Sequence, residues 1–428
     1  MHDPAIWAIC AAAIAGILIP FRRIGEWVWP AAGSLVLVLG GLLSPSRALH
    51  AVATGLDVYL FLAGMMLLAE VARREGLFDW LAGVAVRAAH GSRARLFALV
   101  YGVGVAVTTV LSNDATAVVL TPAVAAAVRA AQVDEPLPYL YACALVANAA
   151  SFVLPISNPA NLVIYGRALP PLERWMTTFA LPALLSIVTT YALLFAVMRV
   201  RLRGTVAAEL DITPLRTGGR FALIAIVVTA LVLVTASALG LALGAVTFAC
   251  GALVVAVLTF VVEPRESRDG GGFAALVQIV RGPSWTVLLL VAGLFVLVSA
   301  IETTGTLLAL RQAVNGFAHQ NLWVGALAVA AIAAVASNVT NNLPAGLLAG
   351  ASVATLHGHE SIRSAVALGI DLGPNLSVTG SLATILWLIA LRRERIDVSR
   401  IAFLRVGVIV MPAALALAVA ALVFVPHA

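Results

Sequence analysis

Lysine is absent from this sequence; all 26 basic residues are arginine. With the abundance of alanine and valine, that points to a GC-rich bacterial genome. Charge of either sign is scarce, at 11% of 428 residues. An ordinary soluble domain carries about a quarter. The three cysteines, Cys10, Cys143 and Cys250, sit singly in apolar runs, which excludes a disulfide framework and suits buried thiols. The seven histidines lie in or near connections and termini. The string "HGHE" at His357–Glu360 reads as a solvated loop rather than a metal site. No H-E-x-x-H, no G-x-S-x-G and no membrane histidine beside a serine or cysteine is present, so neither a metal nor an enzymatic role is expected. A phosphate-binding glycine loop is also missing, as is a cytosolic segment large enough for an ATPase. No cofactor is expected.

Apolar residues make up 62% of the chain, in runs of about 20 that recur along nearly its whole length. The fold class expected is therefore an all-α polytopic membrane protein. The run from Pro4 to Pro20 has no basic flank before it and reads as a first spanning helix, not a cleaved signal. Net charge of +6 is accounted for by arginines that set topology, without invoking nucleic acid.

Two halves repeat the same order of parts. "FLAGMMLLAEVARREGL" (61–77) lies over "LVAGLFVLVSAIETTGT" (290–306), "SNDATA" (112–117) over "SNVTNN" (337–342), and "SNPANLVIYG" (157–166) over "DLGPNLSVTG" (371–380). Residues 1–202 form the first repeat, 203–219 an Arg-rich cytoplasmic linker, and 220–428 the second repeat. Re-entrant hairpins are expected at 94–133 and 321–356, and broken helices at 138–172 and 362–391. Each half then has about five full crossings, an odd number, so the halves are inverted. This arrangement leaves only Arg47, Arg167, Arg174, Arg311 and Arg363 outside, and places Arg22, Arg23 and the others in the cytoplasm, in keeping with the positive-inside rule. Both termini then face the periplasm.

Polar groups inside hydrocarbon are costly and mark function. The expected hairpin tips carry Ser112, Asn113, Asp114 and Thr116 in one half, and Ser337, Asn338, Thr340, Asn341 and Asn342 in the other. The facing breaks carry Ser157, Asn158, Pro159 and Asn161, and Asp371, Gly373, Pro374, Asn375 and Ser377. Proline and glycine free backbone groups there, and the four elements together would enclose a small polar cavity. Asp114 and Asp371 occupy the polar sites themselves, and a carboxyl group removed from water is suited to taking up and releasing a proton. Asp57 reads as a packing or topology residue, and Glu70 as a local partner of Arg73 or Arg74.

At these residues the sequence resembles the ArsB-type arsenite/antimonite permeases of the ion transporter superfamily. The resemblance runs through Asn113-Asp114 with "LTPA" after it, "SNVTNNLPAGLL", and most specifically "DLGPNLSVTGSLATILWL". It implies an elevator-type fold and proton-driven export of arsenite or antimonite across the bacterial inner membrane. Carried over by position, the substrate site is Asn113, Asp114, Asn158, Asn161, Asn338, Asn341, Asn342 and Asn375, with proton coupling at Asp114 and Asp371. Partners implied are arsenite or antimonite, protons, the lipid bilayer, a cytosolic ATPase subunit and a second copy in a homodimer. An Asn-, Ser- and Thr-lined cavity with no arginine at its breaks suits the uncharged trihydroxide of arsenite. "SNPANL" is equally suited to another small oxyanion or organic acid, coupled to sodium or protons.

Overall fold

The computed structural model describes residues 3–18, 24–166, 169–206, 214–262, 272–318, 321–353 and 360–424. Arg22, Arg23, Arg167, the centre of the linker and His357 to His359 lie outside them. Every regular element among the described residues is helical. In chain order they are α1 (Asp3–Leu18), α2 (Val28–Leu39), α3 (Pro45–Thr54), α4 (Leu56–Arg74), α5 (Leu77–Ala88) and α6 (Arg93–Val110). Then come α7 (Thr121–Ala130), α8 (Leu137–Ala149), α9 (Pro159–Tyr165) and α10 (Leu172–Met198). The second half holds α11 (Thr217–Ala238), α12 (Leu243–Val257), α13 (Gly272–Arg281), α14 (Thr286–Thr303), α15 (Thr306–Ala318), α16 (Leu322–Thr340) and α17 (Asn342–Val353). It closes with α18 (Glu360–Leu372), α19 (Leu382–Arg393) and α20 (Arg400–Phe424).

Among the described residues, 7 stretches are long and apolar enough to cross a membrane, or 8 if α3 and α4, bent by 46° at Gly55, count as one. The broken pairs α8–α9 and α18–α19 do not register because their interruptions divide them. Ser44 caps α3 and Pro45 starts it. Residues 272–281 form α13, which with α14 makes up the apolar stretch Phe273–Thr303.

Packing recurs in matched pairs, both within the halves and between them. α4 lies against α12 while α14 lies against α2; α6 packs on α8 while α16 packs on α18; α9 meets α17 while α19 meets α7; α10 runs along α20. At the α4–α12 crossing the backbones nearly touch. A Cβ on Gly64 would come within 2.4 Å of the Thr247 carbonyl oxygen. Asp57 Oδ1 accepts the Gly244 amide at 2.8 Å, so this carboxylate caps the start of α12, the packing role expected of it. Glu70 takes a bidentate ion pair from Arg73, one contact at 2.8 Å.

Ion pairs gather on two faces. Arg93–Asp134, Arg129–Glu394 and Arg201–Glu135 lie on one. On the other, Arg174 pairs with Glu360, Arg363 donates to the Ile164 and Tyr165 carbonyls, and Arg311 donates to the Ala351 carbonyl. The Arg93–Asp134 pair, at 3.1 Å, ties the start of α6 to the residues just past α7. The segment between them therefore leaves one face and returns to it.

Candidate functional site

The first interruption follows α6. Ser112 is fully extended (φ 172°, ψ 166°), its hydroxyl accepts the Ala115 amide, and a short turn, Asn113–Ala115, restarts the chain. Asn113 is buried and its Oδ1 accepts the Asp114 amide at 2.9 Å. A π-helical segment, Thr116–Leu120, follows. Thr116 shares a 2.8 Å hydrogen bond with Thr108, and Thr121 Oγ1 donates to the Thr116 carbonyl. Such π-turns are frequent at functional sites. The Asp114 side chain is half-buried on the turn that packs against α8 and α19.

The second interruption lies upstream of the expected Ser157–Asn161. Residues 150–158 are the non-helical ones, broken by a single 3-10 turn, Pro155–Ser157. Pro159 does not break a helix here; it starts one, at the position where a missing N–H costs nothing, with Asn158 Oδ1 capping Ala160 N. Asn161 sits in the first turn of α9 and turns its amide back onto the Ser151 and Pro155 carbonyls. Ser157 Oγ donates to the Thr109 carbonyl of α6. From behind, Trp175 and Ser186 of α10 donate to the Phe152 and Ala149 carbonyls. The freed backbone is thus held by side chains, as a break in hydrocarbon requires.

In the second half the hairpin turn is also narrower than expected. Ser337, Asn338 and Thr340 are still helical, and the reversal falls at Asn341 (φ 78°, ψ 152°) with buried Asn342 opening α17. Asparagine tolerates positive φ better than most residues. Asp371 likewise completes α18, and the last interruption runs through two 3-10 turns, Gly373–Asn375, which includes Pro374, and Val378–Gly380. Asn338 holds hairpin to break: its amide donates to the Gly373 carbonyl at 2.8 Å, its Oδ1 accepts from Ser377, and its own carbonyl accepts from Thr379. Gly407 of α20 backs this break, and a Cβ there would lie 2.4 Å from the Asn375 and Leu376 carbonyl oxygens.

The two breaks bind each other. Asn158 Nδ2 donates to Asp371 Oδ1 at 2.7 Å, and Asn148 Nδ2 donates to Asn375 Oδ1 at 3.0 Å. Asn375 also donates to the Leu145 carbonyl. Asn148, Asn158, Asn161, Asp371 and Asn375 are all buried. Both amide ends of Asn158, Asn338 and Asn375 are therefore committed within the protein. Three acceptors in this cluster, Asp371 Oδ2, Asn148 Oδ1 and Asn161 Oδ1, have no hydrogen-bond partner among the described residues. None of the residues forming the four interruptions is basic. Asn148, Ser151 and Thr379 join the cluster without having been expected there. The one local signal for Asn148 is an amide inside the apolar run "ALVANAASFV". Among the described residues, no group of three His, Cys, Asp or Glu side chains could hold a metal.

The citrate transporter family, CitMHS, matches residues 16–371. The chain belongs to this family. It is 27% identical over 362 residues to an arsenical pump membrane protein of Escherichia coli, covering 81% of each chain. Identity to the arsenical pump membrane protein of strain K12 is 28% over 365 residues, again covering 81% of each. An uncharacterized transporter of Mycobacterium bovis is 24% identical over 441 residues, covering 97% of each chain. Among solved structures, the YdaH transporter of Alcanivorax borkumensis superposes with a TM-score of 0.55 at 15% identity, covering 92% of this chain and 96% of that one. This CitMHS-family protein is a multi-span helical membrane transporter whose fold is shared with YdaH.

Proposed function

We propose that this protein exports arsenite or antimonite across the bacterial inner membrane by proton antiport. The observation carrying the cargo is the chemistry of the interruptions, which hold amides, hydroxyls and two carboxylates but no basic side chain. A fixed positive charge is what a di- or tricarboxylate would call for. An uncharged trihydroxide needs only donors and acceptors. The likeness to two arsenical pump membrane proteins points the same way. Asn113, Asn341 and Asn342, with Asp114, are the expected residues nearest to free for cargo. Asn158, Asn161, Asn338 and Asn375 shape the site through their internal bonds. Asp114 and Asp371 carry the coupling proton: Asp371 is buried, accepts from the Asn158 amide, and faces no basic side chain from the four interruptions.

The matched packing and the two-faced distribution of ion pairs support inverted repeats, with 93–134 as a re-entrant hairpin. The long-range polar ties also divide into two sets. Some join the hairpins, the broken helices and α10 to one another; Cys10–Leu297, Ser34–Gly293 and Asp57–Gly244 join α1, α2, α4, α12 and α14. That division supports an elevator, in which the first set slides past the second.

Uptake of arsenite into everted vesicles under an imposed proton gradient tests this reading. Proton-driven uptake that disappears in Asp114→Asn is the expected result. Uptake unchanged in that variant would remove Asp114 from coupling. The family's citrate description supports a second reading, a sodium- or proton-coupled carrier of a small organic acid. Citrate uptake with no arsenite uptake in the same vesicles would establish it instead.

A further inference from the structure

An open pocket of about 530 Å³ lies where the end of α7 meets the end of α19, on the face that carries Arg93 and Arg201. Its wall includes Arg129, Asp134, Arg393, Glu394, Arg395 and Ile396. Both acids are already neutralised. Glu394 is held by Arg129 at 3.0 Å, which also bonds the Glu394 carbonyl, and Asp134 is held by Arg93 at 3.1 Å. Arg393 and Arg395 are exposed and make no ion pair with a described residue, so the pocket keeps a net positive wall.

The backbone adds a second observation. α19 ends in a six-to-one turn: Ile396 N donates to the Leu391 carbonyl at 2.9 Å and Arg395 N to the Arg392 carbonyl at 3.1 Å. This turn needs a left-handed residue, usually glycine. Here it is Arg395, at φ 60°. A side chain with a Cβ in this conformation carries a local cost, as Gln132 at φ 53° does past the end of α7, and such costs persist where the side chain has a task. The location identifies the task. α19 is an apolar helix of a membrane transporter that ends in Arg392 and Arg393, so the guanidinium groups there and at Arg395 are placed to meet headgroups, and Ile396 gives the pocket an apolar wall. Basic pockets between membrane helices hold anionic lipid headgroups.

We propose that this pocket binds the phosphate of an anionic phospholipid, held by Arg393 and Arg395. The site bridges α7 and α19, and it does not depend on which cargo is carried.

Full-length protein in phosphatidylcholine nanodiscs, with phosphatidylglycerol titrated in, tests the proposal by lipid retention in native mass spectrometry and by thermal unfolding. Phosphatidylglycerol is expected to be retained and to raise the midpoint of the wild type. The variant R393Q/R395G is expected to lose affinity by about tenfold or more. Its midpoint in pure phosphatidylcholine should hold or rise, because glycine fits the left-handed position. Equal retention by wild type and variant would overturn the assignment. So would inorganic phosphate reproducing the stabilisation at matched concentration, since the ligand would then be a free anion and not a lipid.

Discussion

At the scale of single residues, the amides at the breaks act first as fasteners. Asn375 takes a bond from Asn148 and gives one to the Leu145 carbonyl, all three buried. Alanine at 375 leaves the buried Asn148 amide donor without its acceptor, at about 1–3 kcal/mol. The unfolding midpoint in detergent is expected to fall markedly for Asn375→Ala, and a midpoint within error of wild type would mean the cross-tie contributes nothing. Asp371→Asn separates charge from geometry, since its amide oxygen still accepts from Asn158. That variant is expected to fold normally and lose proton-driven uptake; retained uptake would shift coupling to Asp114 alone. The residue types were legible in the sequence, because Asn, Ser and Asp stand out inside apolar runs. Their pairing was not. Asn148 and Asn375 are 227 positions apart, and no local pattern announces which amide meets which.

At the scale of elements, the sequence located the interruptions to within a few residues and misjudged their form. Proline in a helical run reads as a breaker, yet Pro159 opens α9, and the true gap lies upstream where Ala150–Leu154 carry no breaker residue. What unwinds that stretch is tertiary: α10 supplies donors to its carbonyls. The same reasoning makes Gly407 a sensitive position. A methyl there would meet two carbonyl oxygens of the second break at 2.4 Å, and α20 or the break would have to move. Gly407→Ala is expected to lower stability by about 1–3 kcal/mol and to depress uptake. Gly102 of α6 is the matched control, because a Cβ at that position meets nothing within 4 Å. Gly102→Ala should leave uptake intact and stabilise slightly, by up to about 1 kcal/mol. Similar losses from both substitutions would show that helix propensity, and not the break, is being measured.

At the scale of the whole molecule, the question is which surfaces share a side of the membrane. Between Arg95 and Glu135 lie α6, 18 residues long and apolar enough to cross a bilayer, and the return through α7. Hydropathy alone would put the two residues on opposite sides or on the same side with equal ease. The Arg93–Asp134 pair and the Arg201–Glu135 pair put them together, while Glu360 pairs with Arg174 on the other face. The sequence pointed to this division through its arginine distribution, but only packing across the halves gives it a geometric basis. Single cysteines at positions 95, 135 and 360, in a background with Cys10, Cys143 and Cys250 replaced by serine, turn it into a labelling experiment. A membrane-impermeant maleimide is expected to reach Arg95→Cys and Glu135→Cys in everted vesicles and Glu360→Cys in right-side-out ones. If positions 95 and 135 label from opposite sides, the first hairpin crosses the membrane outright. The first half would then contain an even number of crossings, the halves could not be inverted, and the elevator would lose its symmetric frame.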